Sequence, residues 1–133
     1  MKKREIEVTV RAVMVHRNKI LFARARGEDY YFLPGGHVEF GELLEAALER
    51  ELREEVNAVP RGPKLLGVVE NRFWEKGRKR HEINFVYRAS LDRYVLKALE
   101  SHLSFHWVPA QTLKSEKILP IRMKQRLLVW VKR

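Results

Sequence analysis

The sequence contains no cysteine among its 133 residues. Disulfides, thiolate metal sites and cysteine nucleophiles are therefore excluded, and a reducing compartment fits this composition. The basic start of the chain is followed by no apolar run of signal-peptide length. No segment approaches the roughly 20 apolar residues that a bilayer-spanning helix needs. A cytoplasmic protein with no membrane partner is expected.

Neither apolar residues nor charged residues are scarce. Hydrophobic residues make up 45% and charged residues 33% of the chain, which excludes a wholly disordered polymer. A chain of 133 residues fits one compact core, since two separate cores would each be too small to stand alone. We therefore expect a single domain over residues 1–133.

The chain carries a formal net charge of +10, which attracts phosphate-bearing molecules. The basic residues fall in short groups, at 2–4, 24–26, 76–80 and 114–133, and form no basic tail. The sequence does not decide whether these basic residues attract phosphate or form an ordinary solvated surface. No nucleic-acid-binding motif is present, so nucleic acid is not expected as a partner. A basic stripe on one face of the fold would favour it, and scattered charge would oppose it.

Hydrophobic patterns predict eight elements in the order β, β, β, α, β, β, β, α, which indicates an α/β fold with a mixed sheet and helices on its faces. A polar turn at residues 16–19 links the first two strands, and a glycine-rich loop at 34–36 follows the third. The predicted strands cover residues 5–15, 20–23, 30–33, 64–73, 83–91 and 105–108, and the helices cover 42–56 and 118–131.

The first helix has the clearest pattern. Its apolar residues recur at helical spacing, and Asn57, which tolerates the left-handed conformation, is the predicted stop, with Pro60 just beyond. One stripe of the helix is formed by Leu44, Ala47, Leu48, Leu52 and Val56.

Three carboxylates share another face of this helix. Glu51, Glu54 and Glu55 are three and four residues apart, so they project together, and their repulsion would be relieved by a bound divalent cation. Oxygen ligands alone favour Mg²⁺ or Mn²⁺. Arg50 and Arg53 could orient the carboxylates. Taken by themselves, three such residues are also typical of a solvated acidic helix face.

A longer pattern surrounds the three carboxylates. Five residues separate Gly36 from Glu42, seven separate Glu42 from Arg50, and Arg50 opens the segment Arg-Glu-Leu-Arg-Glu-Glu. Together with the preceding Leu-Pro-Gly-Gly at 33–36, this resembles the Nudix box of the Nudix hydrolase superfamily. Asn57 stands where that family usually has glycine, and Ala58 stands where it has a larger aliphatic residue.

The resemblance implies an α/β/α sandwich and Mg²⁺-dependent (or Mn²⁺-dependent) cleavage of a diphosphate linkage in a nucleotide-like small molecule. It implies Glu51, Glu54, Glu55 and the Gly35 carbonyl as metal ligands. Arg50 and Glu42 would brace the box, with a purely structural salt bridge as the equal alternative. The compact chain looks more like the MutT-type nucleoside triphosphate pyrophosphatases than like larger ADP-ribose enzymes.

A general base is expected outside the ligand set. In MutT-like proteins it lies in a loop before the last strand, where Glu100 stands in this sequence; Glu82 and Glu54 are the alternatives. Arg24 and Arg26 could bind a substrate phosphate or lie in the solvated surface. Trp74 could stack on a base. Gly36 and His37 follow the turn and could contact substrate, although a loop role for His37 is favoured.

Two other functions are kept open. One is cleavage of ADP-ribose, a nucleotide sugar or a capped RNA end. The other is a nucleic-acid-binding or nucleotide-binding module without turnover, which the intact carboxylate set argues against. The residues do not decide the oligomeric state, and a homodimer is kept open with it.

Overall fold

The structure is a computed structural model and describes residues 4–132. Residues 2, 3 and 133 of the predicted basic groups lie outside the described residues. The strands are β1 (Glu7–His16), β2 (Lys19–Ala25), β3 (Gly35–His37), β4 (Pro60–Glu75), β5 (Arg78–Leu91) and β6 (Leu103–Pro109); the helices are α1 (Leu44–Val56), α2 (Ile121–Trp130) and a 3₁₀ helix at Ala110–Ser115.

The strands form one mixed sheet in the order β4, β5, β1, β2, β6. β1 and β5 are parallel, whereas the β1–β2, β2–β6 and β4–β5 pairs are antiparallel. β3 also pairs with β1, through Thr9 to Arg11, while β2 pairs with the end of β1. The predicted mixed sheet is confirmed.

Each face of the sheet carries one helix and its own core. α1 packs through Leu48 and Leu52 against β1 residues such as Val10. α2 packs through Met123 and Leu127 on the opposite face, against a cluster that includes Val13, Phe22 and Val86 from three strands. Residues alternate between the faces because successive side chains of a strand point to opposite sides. This arrangement is the predicted α/β/α sandwich.

Helix α1 begins two residues later than predicted, at Leu44 and not at residue 42. Glu42 lies before the helix because its carboxylate accepts a hydrogen bond from the Glu39 backbone N–H at 3.1 Å, closing a local turn. The predicted stop is confirmed. Asn57 is left-handed, with φ of 52° and ψ of 39°, and its N–H donates to the Arg53 carbonyl.

The conformation of Asn57 leads to a stability prediction. Asn57→Ala is expected to lower the free energy of unfolding by about 1 kcal/mol, because a β-carbon without a local polar partner is disfavoured at positive φ. Asn57→Gly, the matched control at the same position, should leave it unchanged or slightly higher. Urea unfolding of the two variants measures this, and equal losses would show that the left-handed turn imposes no cost.

The predicted third strand was misplaced. Residues 30–33 form only isolated bridges, at Tyr31 and Phe32, and the strand lies at Gly35–His37, where a loop was expected. Gly35 has φ of 140°, and a β-carbon there would collide with the Val10 carbonyl oxygen. The glycines therefore allow the backbone to pair closely with β1, which side-chain patterns do not reveal.

The remaining differences concern element ends. The strand predicted at 64–73 extends over Pro60–Glu75, and the one at 83–91 starts at Arg78, so the two form a long hairpin. The closing helix starts at Ile121, with Pro120 as its N-cap residue, because Ile118 pairs with Tyr31 instead. Among residues 4–132, no helix is long and apolar enough to cross a bilayer.

Candidate active site

The β3 strand brings its glycines against the carboxylate face of α1. A β-carbon at Gly36 would lie 2.5 and 2.6 Å from the two carboxylate oxygens of Glu51. Contacts this short do not occur for real β-carbons, so a side chain at position 36 would displace the Glu51 carboxylate from its place. Gly35, Gly36 and Glu51, three of the predicted site residues, therefore lie together.

Arg50 connects several of the predicted residues. Its Nε and Nη2 donate to the two Glu42 oxygens at 2.7 and 3.0 Å, in a bidentate pair. Nη2 also donates to the His37 carbonyl at 2.9 Å, and Nη1 lies 3.0 Å from Glu51 and 3.4 Å from Glu54. The hydrogen bond to Arg50 holds the pKa of the Glu42 carboxyl below its usual range. Arg50 thus fixes the segment before α1 to the helix.

Glu55 is the buried member of the three carboxylates, with 5% of its surface exposed. Burial raises the pKa of Glu55 to about 8, the Arg11 guanidinium acts in the opposite direction, and Glu51 adds to the rise. Its Oε1 atom is buried and has no hydrogen-bond partner in the described part of the chain. Buried polar atoms are normally satisfied, so this oxygen is free to take a ligand.

The residues present fit a hard divalent cation. Within residues 4–132 no three acidic or histidine side chains converge closely enough to hold a metal as they stand. Glu51 and Glu54 are both paired with Arg50. The donor set nevertheless contains only carboxylate oxygens beside glycine backbone, and one buried carboxylate oxygen lacks a partner. Oxygen donors of this kind suit Mg²⁺ or Mn²⁺.

A cavity of about 840 Å³ lies on the α2 face of the sheet. Its aromatic wall is formed by Tyr30, Phe32, Phe73 and Trp74, and the start of α2 closes another side. A volume of several hundred Å³ with aromatic walls is typical of a small-molecule site. Trp74 belongs to this aromatic wall, and its predicted contact with a base stays a prediction.

Polar groups line the inner end of this cavity. Asn71, Glu82 and Asn84 stand on neighbouring strands, and Asn84 donates to the Val69 carbonyl at 3.1 Å. Arg11 lies beside them and donates to the Leu33 carbonyl at 3.0 Å. Amide and carboxylate groups at such a position can form hydrogen bonds to the edge of a base. Glu82 thus belongs to the cavity wall.

Arg11 lines the cavity and also interacts electrostatically with the α1 carboxylates. Burial lowers the pKa of its guanidinium, while the charges of Glu82, Glu55 and Glu51 act to raise it. Sequence reasoning missed Arg11, Asn71 and Asn84. The available signal was a charged residue in the middle of an otherwise apolar strand, since such a residue is rarely buried without a partner.

The loop that carries Glu100 is attached to the end of α1. The N–H of Leu99 donates to the Glu55 carbonyl at 2.8 Å, and Glu100 is close enough to raise the pKa of the Glu55 carboxyl. The Glu100 side chain lies 3.6 Å from His102 and is 38% exposed. The structure therefore brings Glu100 to the carboxylate cluster, as an accessible group.

Arg24, Arg26 and His37 lie apart from the cavity wall. Arg24 packs over the Tyr31 ring, with its Cζ 4.6 Å from the ring centroid, and Arg26 is exposed at the end of β2. The His37 side chain is 55% exposed and pairs with Glu7 at 2.7 Å. The predicted contacts of these three residues with substrate stay predictions, and so does the loop role favoured for His37, which lies in β3.

Glu7 is shared by Arg80 and His37, which leads to a pH prediction. The hydrogen bond from Arg80 is the main reason that the pKa of Glu7 falls to about 2. Its stabilising effect should be complete above the unfolded pKa near 4.5 and be lost as the pH falls through about 2. Glu7→Gln should therefore cost about 1–2 kcal/mol at pH 7, after allowance for solvent screening, and almost nothing near pH 2.

Guanidinium unfolding at several pH values tests this expectation. Glu5→Gln is the control, because Glu5 is exposed and makes no salt bridge in the described part of the chain. A difference between Glu7→Gln and the parent that does not change with pH would contradict the assignment of the low pKa.

Comparison with known proteins identifies the family to which this chain belongs. The model of the NUDIX domain matches residues 5–129 of this chain. The chain belongs to the Nudix family. The resemblance seen at residues 33–58 therefore extends over nearly the whole sequence, and the Nudix helix is α1.

Two curated relatives match part of the chain. An ADP-ribose pyrophosphatase of Methanocaldococcus jannaschii is 34% identical over 83 residues, which are 60% of this chain and 48% of the relative. An RNA pyrophosphohydrolase of Acinetobacter baylyi is 35% identical over 63 residues, which are 47% of this chain and 37% of the relative. The matches thus span less than half the length of either relative.

Solved structures agree with the Nudix fold. A MutT NUDIX hydrolase from Burkholderia pseudomallei superposes with a TM-score of 0.77 at 25% identity, covering 93% of this chain and 98% of that one. The MutT protein of Methanosarcina mazei Go1 also has a TM-score of 0.77, at 21% identity, with both chains fully covered. At this identity the second match describes the fold alone.

Proposed function

We propose that this Nudix domain hydrolyses a diphosphate linkage in a nucleoside triphosphate or another nucleoside diphosphate derivative, with Mg²⁺ or Mn²⁺ as cofactor. The observation that carries the proposal is the arrangement around Arg11. This half-buried cation lines an aromatic cavity and interacts electrostatically with Glu51 and Glu55 of the Nudix helix. A nucleoside in the cavity would have its phosphates directed toward the carboxylates.

In this proposal the residues of the site have separate roles in binding the cation, orienting its ligands and balancing charge. Glu51, Glu54, Glu55 and the Gly35 carbonyl hold the cation, and Arg50 orients Glu51 and Glu54. When bound, the cation supplies charge neutralisation at the phosphates and lowers the pKa of a coordinated water. Gly36 leaves room for Glu51. Arg11 offsets part of the carboxylate charge.

Glu100 is proposed as the general base that accepts a proton from the attacking water. It is accessible and not engaged by Arg50, and its loop is fixed to the end of α1 through the Leu99 N–H. Glu82 is the second choice, because it stands in the cavity wall near Arg11. Glu54 is the third, because it is also a proposed ligand.

The walls of the cavity indicate a nucleoside as the bound group. Phe32, Phe73 and Trp74 can stack on a base, and Asn71 can form hydrogen bonds to its edge. ADP-ribose is the alternative substrate, because the Methanocaldococcus relative is named for that activity. We also propose that residues 1–133 form one domain and that the protein works in the cytoplasm, which the lack of cysteine supports.

A phosphate-release screen tests the proposal. The substrates are nucleoside triphosphates, ADP-ribose, nucleotide sugars and dinucleoside polyphosphates, each with Mg²⁺, with Mn²⁺ and with a chelator. Metal-dependent cleavage of a nucleoside triphosphate is expected, with ADP-ribose next. Tight binding of nucleotides without any cleavage would replace the proposal by a binding module.

A further inference from the structure

A second cavity of about 450 Å³ lies between the start of β1 and the turn that joins β4 to β5. Four cationic side chains line it, Arg4, Arg78, Lys79 and Arg80, against two acidic residues. We refer to it as the basic groove. It lies outside the set of residues proposed for catalysis, and the proposed reaction does not use it.

The positive charge of the basic groove is only partly balanced within the protein. Arg80 pairs with Glu75 at 2.7 Å and with Glu7, which also pairs with His37. Among residues 4–132, Arg4, Arg78 and Lys79 have no side-chain hydrogen bond or salt bridge. Three cations with no protein partner therefore face one groove, and phosphate is the common biological anion that suits such a group.

Trp74 connects the basic groove to the nucleoside cavity, because it lines both. Its side chain is exposed, at 71%, although an indole of this size is usually at least half buried. An exposed indole between a nucleoside site and a phosphate site can stack on the next base of a strand. The two cavities are thus neighbours along one continuous surface.

We propose that the basic groove binds the backbone phosphates of a single-stranded nucleic acid whose 5′ nucleotide occupies the aromatic cavity. This proposal rests on the proposed function and narrows its substrate to a 5′-triphosphorylated strand. It also explains part of the surplus positive charge. The cations that are scattered along the sequence at residues 4 and 78–80 come together on one side of the fold.

The test compares two double variants with the same loss of charge. Arg78→Ala/Lys79→Ala removes two cations of the basic groove. Arg61→Ala/Lys64→Ala is the control, because these exposed cations lie at the other end of β4 and line neither cavity. Each protein is assayed for hydrolysis of ATP and of a 5′-triphosphorylated single-stranded RNA of about six nucleotides, a length within the usual site size of such proteins.

The groove variant is expected to lose about tenfold in kcat/KM for the RNA while its ATP kinetics stay within about twofold. The salt dependence of RNA binding should also become shallower, by about 1.4 in the logarithmic slope for two lost phosphate contacts on a single strand. The control variant should behave as the parent does. An unchanged RNA rate, an equal loss in the control, or an equal loss for ATP would overturn the proposal.

If the proposed function is wrong, the same assays give a result different from the failure of the basic groove. In that case the parent protein cleaves neither ATP nor RNA. Fluorescence anisotropy with a labelled 5′-hydroxyl RNA of the same length then measures the groove without any hydrolysis. Binding that weakens about tenfold in the groove variant alone supports the basic groove, and binding equal to that of the control variant rejects it.

Discussion

Replacing Glu54 by glutamine is expected to lower metal-dependent hydrolysis by on the order of 10³ in kcat. Glu54 is 53% exposed and is held only by 3.4 Å contacts with Arg50, so the fold should not depend on its charge. A neutral amide keeps the shape of the side chain and removes one of the negative charges proposed to hold the cation. The measurement is steady-state phosphate release over a range of Mg²⁺ concentrations.

Glu49→Gln is the matched control for this expectation. Glu49 lies on the same helix, is similarly exposed at 48%, and pairs with Arg53. Its replacement should change kcat by less than about twofold, as is usual for an exposed helix pair. Equal losses in the two variants would mean that the general charge of α1 matters and that Glu54 has no special position.

Glu100→Gln is expected to lower kcat by about 10²–10⁴ while the affinity for Mn²⁺ stays unchanged. A base outside the ligand set acts on the proton of water and does not hold the cation. Its removal should therefore separate turnover from metal binding, in contrast to the loss of a ligand. The acidic limb of the pH profile should also disappear, because that limb reports the ionisation of the base.

Ser101→Ala controls for disturbance of the loop, since Ser101 is exposed and follows Glu100 directly. A normal rate for Glu100→Gln would remove Glu100 from the role of base and direct attention to Glu82. The same substitution at residue 82 then distinguishes a base from a wall residue, because a wall residue changes KM for the nucleotide more than it changes kcat.

Much of the fold could be predicted from local patterns. The apolar stripe of α1 and the left-handed tolerance of Asn57 are set by neighbouring residues, so the helix and its end were predicted well. The α/β/α layers follow from element order. The start of α1 was misjudged because the Glu42 carboxylate accepts a hydrogen bond from the Glu39 N–H in a local turn and forms an ion pair with Arg50.

The place of β3 and the shape of the cavity could not be predicted in this way. Strand pairing at Gly35 depends on a close approach to β1, which is 24 residues distant at Arg11. The cavity combines side chains from β1, β4, β5 and the start of α2, and no local pattern relates these segments. Trp74 is exposed in the wall of this cavity, and its predicted contact with a base stays a prediction.

The electrostatic environment of the Nudix helix was only partly foreseen. The three carboxylates were predicted to project together from one face of α1; in the structure Glu55 is buried and Glu54 is exposed. Helical spacing gives the angle between side chains, but it does not give the depth of each one beneath β3 and the loop at Leu99. The different depths make Glu55 the most sensitive test of metal binding.

The most direct test of the central claim is therefore a titration of the protein with Mn²⁺, followed by electron paramagnetic resonance of the free ion, for the parent and for Glu55→Gln. The account predicts that the near-isosteric amide keeps the protein folded and weakens Mn²⁺ binding by at least about tenfold, because it removes the buried carboxylate that has a free oxygen. Mn²⁺ binding of equal strength in the folded variant would contradict the metal centre proposed on α1.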